Sequence, residues 1–118
     1  LTVPCAVVLA AALLLAPGGS FAHSVLLQAS PAPDARLPGA PGELALRFNN
    51  RVEKKLSRVR LVDSEGGALV LAPGADGAPD RLVAPLPPLG PGRWRVEWQV
   101  LSADGHVVTG AYTFQVAP

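Results

Sequence analysis

Residues 94–114 read Trp94-Arg95-Val96-Glu97-Trp98-Gln99-Val100-Leu101-Ser102-Ala103-Asp104-Gly105-His106-Val107-Val108-Thr109-Gly110-Ala111-Tyr112-Thr113-Phe114. Trp94, Val96, Trp98 and Val100 fall on one side of an extended chain, and Arg93, Arg95, Glu97 and Gln99 on the other. Strict alternation of this kind marks a strand with one face in a core and one in water. Val108, Gly110, Tyr112, Phe114 and Val116 repeat the pattern with the same period. Between the two runs lies a polar connection, Ser102-Ala103-Asp104-Gly105-His106, whose Asp-Gly pair is a common hairpin turn. The segment therefore predicts two long antiparallel strands joined by a short, chemically equipped tip.

The rest of the chain supports an all-β reading. Leu44, Leu46 and Phe48 alternate with Glu43, Ala45, Arg47 and Asn49, which predicts a half-buried strand. Shorter runs at residues 24–28, 58–63, 68–71 and 81–84 are separated by turn formers: Ser30-Pro31-Ala32-Pro33, Ser64-Glu65-Gly66-Gly67, residues 73–79 and the proline cluster at 85–91. The prolines after Ser30 keep the first run from entering the middle of a sheet. Residues 52–63 would also fit a helical face around Leu56 and Val59, with a strand favoured for their second half. About seven short strands and no convincing long helix predict an antiparallel Greek-key β-sandwich or small barrel of immunoglobulin-like type.

Residues 1–16 are almost wholly apolar and carry no charge, and Pro17-Gly18-Gly19 breaks the run before Ser20-Phe21-Ala22. Small residues at positions 20 and 22 suit a signal peptidase, so residues 1–22 read as a signal peptide and residues 23–118 as one exported domain. Leu1 reads as a late start within a longer precursor. Cys5 lies inside the leader, so the expected mature domain folds without disulfides. Ten basic and nine acidic residues leave a formal charge of +1. Such a balance provides no electrostatic footprint for nucleic acid. Arg47, Arg51, Lys54, Lys55, Arg58 and Arg60 form a local basic cluster that reads as solvated strand faces.

Cleavage after Ala22 would make His23 the first residue. A terminal histidine offers two nitrogens to one ion, its α-amine and imidazole Nδ1. The amine titrates near pH ~8, against ~10.4 for a lysine, so a metal displaces its proton readily at neutral pH. His106 adds a third nitrogen, which completes a histidine brace, and Asp104 can add an oxygen. His23 and His106 are the chain's two histidines. Nitrogen-rich tetragonal coordination with one carboxylate suits Cu(II) among the common metals. Ser102 reads as a hydrogen-bonding residue that fixes Asp104 in the turn.

From His23 onward the sequence resembles the CopC family of periplasmic copper-resistance proteins. The matching features are His23-x-x-Leu26, Ser30-Pro31-Ala32, Leu44-x-Leu46-x-Phe48, Pro85-Leu86 leading to Gly92, and Val96-x-Trp98-x-Val100-x-Ser102-x-Asp104-Gly105-His106 with Gly110 and Phe114. The resemblance implies a Greek-key sandwich that binds one Cu(II) per mature chain through His23, Asp104 and His106. It also implies a periplasmic carrier, not an enzyme, with an inner-membrane importer of the CopD type as a receiver. Two features depart from the family. The chain has no methionine, which excludes the Cu(I) thioether site of some members. Where other members place a glutamate near copper, this chain has Asn49-Asn50. Two other readings stand beside the carrier: a brace-type copper oxidase acting on polysaccharide, and a metal-free immunoglobulin-like interaction module.

Overall fold

The computed structural model describes residues 24–118, which fold into eight strands and one 3-10 turn. The strands are β1 (Leu26–Ser30), β2 (Arg36–Leu37), β3 (Glu43–Phe48), β4 (Arg58–Val62), β5 (Ala68–Leu71), β6 (Arg81–Pro85), β7 (Gly92–Leu101) and β8 (Val107–Val116), and the turn is Lys54–Leu56. They form two sheets, ordered β1-β3-β6 and β2-β8-β7-β4-β5. The chain crosses from one sheet to the other after β1, β2, β3, β5 and β6, so neighbours in a sheet are often distant in sequence. This is an antiparallel sandwich of the immunoglobulin-like kind, as the alternation predicts.

The inner faces follow directly from the side-chain period of two. Leu44, Leu46 and Phe48 of β3 meet Val59 and Leu61 of β4, Leu82 and Ala84 of β6, Val96 and Val100 of β7, and Phe114 and Val116 of β8 in one buried cluster. Each fully buried Leu, Phe or Val side chain contributes about 1.5–3 kcal/mol by leaving water. No disulfide is needed when two sheets share a core of this size.

β7 and β8 pair over ten residues each, from Gly92↔Val116 to Leu101↔Val107. Within this pairing Trp98 sits opposite Gly110, and its ring covers the glycine so closely that a Cβ there would lie 2.1 Å from Trp98 Cζ2. Trp98 also packs edge-on to Phe48 at 6.4 Å and tilted against Tyr112 at 6.1 Å. The Tyr112 hydroxyl donates to the Pro31 carbonyl at 2.7 Å, which ties the loop after β1 to the other sheet. Burial pushes the Tyr112 phenol pKa above its usual range, so it stays a donor throughout the physiological range.

Two elements differ in detail from the sequence expectation. β2 is a two-residue strand that pairs in parallel with Gln115 and Val116 of β8, too short to show any period. β1 begins at Leu26 and reaches Ser30, with an irregularity between Leu26 and Gln28 and with Leu27 55% exposed, so its alternation is blurred. It is an edge strand, consistent with the prolines that follow it. The basic residues Arg47, Arg51, Lys55, Arg58 and Arg60 are exposed, in keeping with solvated faces. Lys54 instead donates to the carbonyl oxygens of Asp76 and Gly77, at 2.8 and 3.3 Å.

Candidate metal centre

The β7–β8 tip is closed by Ser102 and His106. The Ser102 N–H donates to the His106 carbonyl at 2.9 Å, and the Gly105 N–H donates to the Ser102 carbonyl at 2.9 Å. Gly105 has φ +87°, a left-handed conformation that an L side chain resists. This is the three-residue hairpin pattern, a tight turn followed by a left-handed residue, and glycine at position 105 makes it accessible.

The turn gathers donors around one carboxylate. Asp104 Oδ1 accepts from the Ser102 hydroxyl and from the His106 N–H at 3.1 Å, while Oδ2 lies 2.9 Å from His106 Nδ1. The Ser102 hydroxyl, and secondly the His106 ring, hold the Asp104 carboxyl well below the usual carboxylate range. An Nδ1–H donated to Asp104 fixes the tautomer and leaves the imidazole lone pair on Nε2, the arrangement by which carboxylates orient metal-binding histidines. His106 is exposed, with 68% of its side-chain surface accessible, and Asp104 is more sheltered at 21%. The histidine thus reaches outward while its anchor stays partly covered. Ser102 itself is 2% exposed, and Val52 bridges to it from the segment that follows β3.

That segment carries a residue whose part the sequence did not reveal. The Asn49 side-chain oxygen accepts the Val25 N–H at 2.7 Å, and the Asn49 N–H donates to the Val25 carbonyl at 2.9 Å. Asn49 therefore grips the backbone two residues beyond His23, and three residues later Val52 lies against Ser102. A neutral amide gives no signal of such a role, and its partner is 24 residues away. His23 and the expected signal peptide at residues 1–22 lie outside the described residues. The structure brings Asp104, His106 and Ser102 together; among the described residues no group of three or more His, Cys, Asp or Glu side chains assembles. Nor, among them, is any helix long and apolar enough to cross a membrane.

The family model of the CopC domain matches residues 26–117. The chain belongs to the CopC family. It resembles the crystal structure of CopC from Methylosinus trichosporium OB3b, with 37% identity and a TM-score of 0.73 over 81% of this chain and 95% of that one. PcoC, a methionine-rich copper resistance protein from Escherichia coli, matches at 34% identity and TM-score 0.67 over 80% of this chain and 99% of its own. Copper resistance protein C of Xanthomonas campestris pv. juglandis is 32% identical over 111 residues, 86% of each chain. The last two of these relatives are named for copper resistance. The contrast with PcoC is compositional, since this chain contains no methionine at all.

Proposed function

We propose that this protein carries Cu(II) in the periplasm, one ion per mature chain. In this reading signal peptidase removes residues 1–22, and residues 23–118 form the working domain. The ion takes the α-amine and imidazole of His23 and the imidazole of His106, with Asp104 supplying negative charge beside it. CopC membership supports the metal, and the observation that carries the site is the Ser102–Asp104–His106 tip. A histidine whose Nδ1 is held by an ionised carboxylate presents Nε2 in a fixed direction, which reduces the ordering that binding must otherwise impose.

The donor set also favours Cu(II) over the alternatives. Imidazole and amine nitrogens suit Cu(II), Ni(II) and Zn(II), with Cu(II) bound most strongly, whereas Cu(I) prefers the thioether and thiolate ligands that the domain lacks. Asp104 contributes either as the anchor of His106 or as a direct oxygen ligand. An exposed His106 leaves the ion near the surface, as transfer to a receiver requires, and an inner-membrane importer of the CopD type is the proposed receiver.

Calorimetric titration of protein starting at His23 tests the reading. The expected result is one Cu(II) per chain, bound far more tightly than Zn(II). Absence of Cu(II) binding by verified His23-start protein would contradict it.

A further inference from the structure

The grip of Asn49 on Val25 assigns this residue a function that the copper-carrier reading does not contain by itself. We infer that Asn49 is a positioning residue: it fixes the chain just after the mature N-terminus so that His23 is held towards the β7–β8 tip. The inference rests on His23 being a copper ligand.

The geometry begins with what happens to the β1–β3 pairing. Past an irregularity between Leu26 and Gln28 it ends at Leu26↔Phe48, where β3 stops and the chain bends through Asn49 and Asn50. Beyond that point the Val25 N–H would lose its backbone acceptor. The Asn49 amide oxygen takes that place at 2.7 Å, while the Asn49 backbone still serves the Val25 carbonyl at 2.9 Å. Both backbone groups of Val25 are thus held by one residue. Ser24 is only 3% exposed, so the chain remains seated one residue further towards the terminus. From the Cα of Val25 to that of His23 the chain spans at most about 7 Å, because each residue extends it by no more than about 3.6 Å.

The same short segment fixes the other half of the proposed centre. Val52 bridges Ser102, and the Glu53 N–H donates to the Leu101 carbonyl at 3.0 Å. Residues 49–53 therefore link the two places from which the ligands come: the start of the mature chain at one end and the Ser102–Asp104–His106 tip at the other. An aliphatic residue at 49 could keep the N–H contact to Val25 but would supply no acceptor. An aspartate would keep the acceptor. Acceptor chemistry, more than shape, is what the position requires.

The test uses His23-start protein with Asn49→Ala and Asn49→Asp, in metal-free and copper-loaded forms. In the metal-free form Asn49→Ala should speed hydrogen exchange at the Val25 amide, while the amides of β7 keep their protection. In the loaded form the same change should speed Cu(II) release to a chelator by about three- to tenfold, the span of one ordinary hydrogen bond. Asn49→Asp should restore both towards the parent values. A purely structural role would appear as a lower Tm with unchanged copper release, and that result would overturn the inference. If Asn49→Ala fails to fold, Asn49→Leu and Asn49→Asp are compared instead: slow release from Asn49→Asp with fast release from Asn49→Leu supports it, and equal release contradicts it. One control separates this inference from the reading beneath it. Protein extended by one residue before His23 should bind Cu(II) weakly; if it does not, the terminal-histidine reading fails and the Asn49 inference with it. If the extension weakens binding but Asn49→Ala does not alter release, only the Asn49 inference fails.

Discussion

The turn at residues 102–106 is closed by its own backbone bonds and centred on a carboxylate that accepts from its neighbours, whereas Val25 is held by Asn49 from another strand pairing. The Asp104 carboxylate accepts from residues two positions away on either side. Val25 depends on Asn49, across 24 residues of chain. Half of the proposed copper centre is thus built mostly from bonds within the β7–β8 hairpin. In the proposed reading the other half waits for two non-local events: the pairing of β1 with β3, and the removal of residues 1–22. A carrier built this way would acquire its full affinity only after export and folding.

The largest expected effect breaks the non-local half. Adding one residue before His23 turns the amine into an amide, which removes a ligand and the chelate ring at once; Cu(II) affinity should fall by at least about a hundredfold, given that each 1.4 kcal/mol is tenfold. Competition against a chromophoric chelator measures this. His106→Ala breaks the local half and leaves the His23 chelate, so the expected loss is smaller, on the order of tenfold to a hundredfold by the same measurement. The fold should survive it, because the exposed His106 side chain packs against nothing in the core.

Gly110→Ala probes the scaffold that carries the tip. Its Cβ would collide with Trp98, and overpacking of that kind costs about 1–3 kcal/mol. Thermal melting should show a clear drop in Tm, with copper stoichiometry unchanged at lower temperature.

The smallest effect sharpens the account of the turn. Asp104 has a depressed carboxyl pKa in the folded state, so its contribution to stability is present above the ordinary carboxylate range and is lost as pH falls through the lowered folded value. Ser102→Ala removes the largest cause of that depression. In metal-free protein the Asp104 carboxyl should then titrate at higher pH, closer to the ordinary value, as followed by its carbon resonance. An unchanged titration would mean that Ser102 does not hold Asp104.

How much of this was legible in the sequence depends on whether a feature is periodic. The alternation through Trp94, Val96, Trp98 and Val100 foretold β7, its inner face and its partner, because ten residues supply a clear period of two. Arg36–Leu37 offered two residues with proline close behind and no period, so β2 was invisible until Gln115 and Val116 were found beside it. The Ser102–Asp104–His106 cluster was legible because its bonds span only two to four positions. Asn49 was not, since its neutral side chain acts on a backbone group supplied by a different strand pairing.

The central claim is that the mature terminus and the β7–β8 tip share one copper ion. Electron paramagnetic resonance of Cu(II)-loaded His23-start protein tests it most directly, recorded beside the one-residue extension and His106→Ala. The account expects a tetragonal spectrum with three equatorial nitrogens, and a changed nitrogen hyperfine pattern in each variant. Identical spectra from the processed and extended proteins would contradict it.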